Sequence, residues 1–331
     1  METIRFGRTG LKVSQLCFGT MTIGSSKWKP WVLDEKDARP ILERCLDLGI
    51  TFFDTANWYS LGESERVVAS ALTSMISRDR LVLATKALYA MSDDPNDCGL
   101  SRKHLLSSVE ASLRRMDTDY IDLFVIHGYD PDTPIEETME ALHDIVRSGK
   151  VRYLGASTMF AWQFEQMNHI ARQNGWTSFV NMQCQYSLLY REEEREMLPY
   201  CRDQGIAVTG FSPLARGWLS GSKKCRSQTD IYFAEFYGDV LDREICAKVE
   251  AVATEHGTTM AEVALAWVCA KEGICCPIIG ASSVSQVENN VKALDLELTL
   301  DELQTLDQLY RPRDVINDHV PNPMPRHLEG Q

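Results

Sequence analysis

The chain has 331 residues, 44% hydrophobic and 24% charged, ordinary globular proportions that exclude a fibrous or wholly disordered protein. A formal net charge of -13 and an isoelectric point near 5.1 argue against a nucleic acid or an anionic membrane as partner, since both attract basic surfaces. No stretch approaches the roughly 20 apolar residues of a membrane span, and METIRFGRTG carries no long apolar run, so a cytoplasmic protein is expected.

Taken in chain order, IRFGRTGLKVS reads as a small hairpin, followed by eight strand candidates: QLCFGT, ITFFDTA, LVLATKA, IDLFVIH, VRYLGAS, FVNMQ, IAVTGFS and CCPIIGA. Segments of helical period alternate with them. SRKHLLSSVEASLRRM offers Ser101 as N-cap and a predicted stripe of Leu105, Leu106, Val109, Leu113 and Met116. In TPIEETMEALHDIVRSG, Thr133 and Pro134 mark a start, and Ile135, Met139, Leu142 and Ile145 form the stripe. Gly149 stands at the expected left-handed C-cap, and Gly49, Gly205 and Gly273 also precede strands. Repeated helix, glycine, strand and polar loop predicts an α/β protein, a (β/α)8 TIM barrel, as one domain over residues 1–331. The competing doubly wound dinucleotide fold lacks its G-x-G-x-x-G signature here. The ten cysteines show no C-x-x-C spacing; Cys17, Cys45, Cys184, Cys201 and Cys269 read as buried, reduced thiols, and Cys275 and Cys276 as part of a strand.

In such a barrel the carboxyl ends of the strands face the active site. Asp54, Lys86 and His127 end the second, third and fourth strands, with Tyr59 one short loop beyond Asp54. A buried charge needs a partner, so one reading is an Asp54–Lys86 ion pair closing the core, with Tyr59 at the rim and His127 a core imidazole. The other is a proton donor for a carbonyl. A phenol titrates near ~10; an ammonium at Lys86 would bring Tyr59 closer to neutrality, Asp54 would hold the lysine, and His127 would polarise the carbonyl. Such a site moves protons but not electrons, and so implies a separate hydride carrier.

The segments GRTGLKVSQLCFGT, FFDTANWYSLGESE, LVLATK, DYIDLFVIH and FSPLARGWLSG resemble, in order and spacing, the motifs of the aldo-keto reductase superfamily. QYSLLYREEEREMLPYC followed by FSPLARG resembles its aryl-alcohol-dehydrogenase-like branch. The resemblance implies a barrel using NADPH, with NADH as the alternative, and no metal. It makes Asp54, Tyr59, Lys86 and His127 the catalytic tetrad. It also implies that Gly19, Thr20 and Met21, with Asp54, line the nicotinamide end, that Ser157 and Gln183 bind the carboxamide, and that Phe211 stacks on the ring. Ser212, Leu214, Arg216 and Gly217 resemble the pyrophosphate loop. Gly280, Ser282, Ser283, Gln286, Asn289 and Asn290 match adenosine-side positions at a helix start. The chain departs from the pattern in three places: Ser282 and Gln286 carry no charge where many relatives place a base for the 2'-phosphate, Thr158 follows Ser157, and Cys184 follows Gln183.

Aromatic residues Trp28, Trp31, Trp58, Tyr89, Tyr129 and Trp218 either wall a pocket for an aromatic or apolar carbonyl compound or simply pack long loops. Lys27 and Lys29 keep an anionic substrate open. Residues 311–331, rich in proline and polar groups, are expected to be a tail, either covering the site or disordered. Besides carbonyl reduction to an alcohol, two roles remain at this stage: a regulatory subunit, since potassium-channel beta subunits resemble the same superfamily, and a non-carbonyl redox step in natural-product biosynthesis. No feature of the helix faces indicates an oligomer.

Overall fold

The structure is a computed structural model that describes residues 1–221 and 236–315. Ten strands are described. β1 (Thr3–Arg5) and β2 (Lys12–Ser14) form an antiparallel hairpin. The other eight, β3 (Cys17–Gly19), β4 (Phe52–Asp54), β5 (Val82–Ala87), β6 (Ile121–Ile126), β7 (Val151–Ser157), β8 (Asn181–Gln185), β9 (Ala207–Phe211) and β10 (Cys276–Ile279), pair in parallel in that order and close through β10 and β3. Each matches one predicted strand. All six residues of β5 are buried, as expected where helices cover one sheet face and the barrel interior fills the other.

The helices are α1 (Glu35–Asp47), α2 (Glu63–Thr73), α3 (Arg102–Met116), α4 (Ile135–Arg147), α5 (Ala161–Gln173), α6 (Met197–Gln204), α7 (Val240–His256), α8 (Met260–Ala270), α9 (Val284–Lys292) and α10 (Leu300–Asp307). Ser101 caps α3, its hydroxyl accepting from the His104 N–H at 3.2 Å. The stripe of α3 differs from the prediction at one position. Leu105, Val109, Leu113 and Met116 are buried, but Leu106 is exposed. Neighbouring residues lie about 100° apart on a helix, so Leu105 and Leu106 cannot share a narrow buried face, and His104, Ser108 and Ser112 complete it instead. In the α4 stripe Met139, Leu142 and Ile145 are buried and Ile135 is half-buried, and Gly149 adopts φ 79 after the helix.

Phe6, in the hairpin, is fully buried and meets Phe52 edge-on at 5.7 Å. With Val13, Cys17, Leu123, Val125 and Cys276 it fills the lower barrel interior, closing the end opposite the strand carboxyl termini. Burial raises the pKa of the Cys17, Cys45, Cys184 and Cys201 thiols. Cys269 departs from the expectation: near the end of α8 it is exposed. Among the described residues no helix is long and apolar enough to cross a membrane. The expected tail lies outside the described residues from 316 onward. Its first residues are tied down, with the Arg313 guanidinium 2.8 Å from Asp242 and the Arg313 N–H donating to Glu192 at 2.8 Å.

Candidate active site

Asp54, Lys86 and Tyr59 converge at the carboxyl end of the barrel. The Lys86 side chain, wholly buried, points inward from β5, its Nζ 2.5 Å from Asp54 Oδ2 and 3.5 Å from the Tyr59 hydroxyl, with a further bond to the Thr55 carbonyl at 2.9 Å. The Asp54–Lys86 ion pair exists, and it abuts the Tyr59 phenol. Gln183 Nε2 donates to the other oxygen, Asp54 Oδ1, at 3.0 Å. The Asp54 carboxylate is thus held on both sides.

The loop carrying Tyr59 is held by continued strand pairing and then by a forced turn. The Thr55 and Asn57 N–H groups donate to Ala84 and Lys86 carbonyls, extending β4 along β5. Ser60 and Leu61, both at φ 51, and Gly62 at φ 91 then reverse the chain into α2. Two consecutive non-glycine residues in the left-handed region are costly, and such strain persists only where surrounding contacts over-determine it. Here the Ser60 hydroxyl accepts from the Ser25 N–H at 3.2 Å, and Gly24 lies so close that a Cβ there would come within 2.4 Å of Ser60 Oγ. Thr20, Ser64 and Thr55 link hydroxyls at 3.1 Å beneath the turn.

The expected effect on the phenol needs correcting. Burial raises the Tyr59 pKa above its ordinary value; Lys86 opposes this by charge and hydrogen bond, but Asp54 reinforces it, and the net direction is upward. Burial alone would lower the Lys86 pKa, yet attraction to Asp54 and Tyr59 outweighs it and the ammonium is held above its usual range. The site therefore presents a neutral phenol beside a firmly charged lysine. His127 stands with its ring 5.8 Å from that of Tyr59, edge-on.

A line of rings leads away from His127: Tyr89 at 4.9 Å, Trp58 at 5.3 Å from Tyr89, Trp28 at 5.1 Å from Trp58, and Trp31 at 6.1 Å from Trp28. Four of the six predicted pocket aromatics are thus brought together. Tyr129 pairs instead with Trp162, centroids 6.4 Å apart, and Trp218 packs against the main core and Gly238.

Of the predicted cofactor residues, Thr20 and Ser157 are buried at strand ends and Gln183 within β8, and Gly19 lies so near β10 that a Cβ would meet the Ile278 side chain at 2.7 Å. Met21 and Phe211 are half-buried. Ser157 and Thr158 share a hydrogen bond at 3.0 Å. Cys184 belongs to the apolar layer between strand and helices, so the departure at that position faces away from the interior side taken by Gln183. After β9, Ser212, Ala215, Arg216 and Gly217 all have positive φ, a tight turn of the kind that gathers backbone N–H groups around an anion. Arg216 sits 5.4 Å over the Phe236 ring, with Leu214 half-buried in the same turn. Ser283 caps α9, while Ser282 donates to Gln286 Oε1 through its N–H at 2.7 Å and its hydroxyl at 3.1 Å. Asn290 is buried and donates to the Gly280 carbonyl at 3.3 Å, whereas Asn289 accepts from Lys292. Asn290 thus braces α9 against the end of β10.

Two groups escaped the sequence reading. Glu65, fully buried in α2, accepts from the Thr85 hydroxyl at 2.5 Å and from Arg115 Nε at 2.5 Å, bracing the strand residue beside Lys86. An acid on the buried face of a helix was the available signal. Trp162, exposed at 59%, gave none, since a tryptophan opening an amphipathic helix reads as core.

The Aldo/keto reductase family profile matches residues 15–311. The chain is 42% identical to an aldo-keto reductase of Fusarium vanettenii, covering 93% of this chain and 91% of that one. It is 39% identical to the versiconal hemiacetal acetate reductase of Aspergillus parasiticus (95% and 98% covered), and 39% identical to a putative aryl-alcohol dehydrogenase of Schizosaccharomyces pombe (92% and 95%). With a closed barrel and a match spanning nearly all of it, the chain belongs to the aldo-keto reductase family, oxidoreductases that act on carbonyl and alcohol groups with a nicotinamide cofactor.

Proposed function

We propose that the protein reduces an aromatic or otherwise apolar aldehyde or ketone to its alcohol, with NADPH as cofactor and Tyr59 as proton donor. The observation that carries this is the buried line from Asp54 Oδ2 through Lys86 Nζ to the Tyr59 hydroxyl, 2.5 and 3.5 Å long. The bound nicotinamide supplies the hydride, which no side chain here can. Tyr59, kept neutral by burial, gives its proton to the carbonyl oxygen. The adjoining Lys86 ammonium then stabilises the phenolate left behind, and Asp54 keeps that ammonium charged and oriented. His127 donates a second hydrogen bond to the same oxygen.

The chain's residues fit a dinucleotide. Gln183 spends its NH2 on Asp54 and makes no bond through Oε1 among the described residues, which leaves an acceptor for a carboxamide N–H beside Ser157. Arg216 and the left-handed turn around it suit a pyrophosphate. Gly280 faces open space, where a Cβ would meet nothing within 4 Å, next to the capped start of α9. The preference for NADPH requires Ser282 to turn its N–H and hydroxyl from Gln286 Oε1 to the 2'-phosphate, with Ser283 at the start of α9 beside it. The rings from His127 to Trp31 form the wall that favours a planar apolar substrate. The names of the relatives, an aryl-alcohol dehydrogenase and a hemiacetal acetate reductase, agree with that class.

The test is titration of NADPH and NADH, followed through tryptophan quenching, and then consumption of the bound reduced cofactor on adding aromatic aldehydes. Tighter NADPH binding with multiple turnovers supports the reading. Failure of both cofactors to bind would remove it.

A further inference from the structure

Trp162 is the one Phe, Tyr or Trp side chain left exposed among the described residues, at 59%. It stands in the first turn of α5, where Phe160 N–H donates to Gln163 Oε1 at 2.9 Å and fixes the helix start. Its ring partner Tyr129 is also held. The neighbouring Asp130 accepts from the Leu100 N–H at 2.7 Å and from the Thr133 hydroxyl at 2.6 Å, and Gly99 packs against it so closely that a Cβ would lie 2.8 Å from Asp130 Oδ2.

Tyr129 lies two residues beyond His127, whose N–H donates to the Ala87 carbonyl at 3.1 Å and so prolongs β6 past its last residue. Gly128 then bends the chain out of the line of β6, and the half-buried Tyr129 ring packs against the layer between strands and helices. Both rings stand at the carboxyl-end face, Tyr129 on the loop after β6 and Trp162 at the start of α5 after β7, with centroids 6.4 Å apart. The inner wall from His127 through Tyr89 to Trp58 is carried by the loops after β4, β5 and β6, whereas this pair spans the loops after β6 and β7. Two pre-set rings at the lip, one of them largely bare, offer apolar area with little conformational entropy left to lose.

We propose that Tyr129 and Trp162 form a second aromatic platform that selects carbonyl compounds bearing a further ring system remote from the reacting carbonyl. The proposal rests on the carbonyl-reductase reading above and narrows its substrate class. Trp162 is a specificity-determining residue in it, acting on the distal ring and not on the reacting atoms.

The experiment compares kcat/KM for biphenyl carbaldehyde with that for benzaldehyde, in the wild type, Trp162→Ala and Trp162→Phe. The wild type is expected to favour the biphenyl compound. In Trp162→Ala that preference falls roughly tenfold, the size of losing one ring contact with its buried area, mainly through KM, and Trp162→Phe restores most of it. An unchanged ratio, or equal loss on both aldehydes, overturns the platform. Binding of the two corresponding alcohols to the cofactor-loaded protein is measured by calorimetry in parallel. If neither aldehyde is reduced, the carbonyl-reductase reading fails on its own. The platform is then decided by whether Trp162→Ala weakens the biphenyl alcohol selectively, which supports it, or leaves both affinities unchanged, which overturns it.

Discussion

Gln183 and Asp54, 129 positions apart in sequence, are joined by an amide N–H to carboxylate bond of 3.0 Å. Gln183 thereby ties the carboxamide end of the proposed cofactor site to the proton-donating end. Replacing it with leucine leaves one Asp54 oxygen buried without its donor, a loss of about 1–3 kcal/mol for a bond to a charged group. Gln183→Leu should therefore melt earlier and bind the cofactor more weakly. A variant with both properties unchanged would show that the bond is incidental.

Tyr59→Phe removes the donor and keeps the ring. Carbonyl reduction should fall by about 10²- to 10⁴-fold, while cofactor quenching of tryptophan fluorescence stays at the wild-type level. Steady-state turnover with a saturating aldehyde reads the first and titration the second. Full turnover in this variant would remove Tyr59 from the mechanism.

The pH dependence follows from the upward direction of the Tyr59 shift. A raised pKa keeps the phenol protonated, so the donor form persists through neutrality and is lost only as pH rises past the ordinary tyrosine value of about 10. Reduction should hold level through the neutral range and decline only in strong alkali, whereas alcohol oxidation, which needs the phenolate, should climb over that same range. A reductive rate falling through neutrality would contradict the burial argument.

Asp54 and Lys86 offer a stability test apart from activity. Asp54→Asn strands a wholly buried ammonium and should cost about 3–5 kcal/mol in denaturant unfolding. In the double variant Asp54→Asn with Lys86→Met no buried charge is left unpaired, so most of that loss should return. Equal instability in the two would mean the pair acts through packing alone.

Leu61 tests the strain behind Tyr59. At φ 51 and 55% exposed, it gains little from its side chain and bears the left-handed penalty. Leu61→Gly relieves strain but frees the unfolded chain, so it should be neutral or stabilising by up to about 1 kcal/mol. Leu61→Val, β-branched, should destabilise, with thermal unfolding as the readout.

The barrel was legible because its strands are short apolar runs set off by glycine and polar loops, and because Asp54, Lys86 and His127 interrupt those runs where they end. Leu106 was misread because a leucine pair satisfies an apolar count while only one member can face inward. The direction of the Tyr59 shift was not legible at all. A sequence places Lys86 near the phenol, but the desolvation that outweighs it arises from the closed barrel around both. Tyr129 and Trp218 illustrate a similar limit, since residue type marks a ring as pocket wall or packing only once its neighbours are known. Trp162, whose surroundings leave it bare, shows the converse.

The hairpin plug has a consequence for traffic. With Phe6 seated against Phe52 at the floor and every strand of the ring paired on both sides, the way to Lys86 and Asp54 is shut from below, and a guest meets them from the carboxyl-end face. A pair of phenylalanines far from Tyr59 thus decides from which side the site is approached.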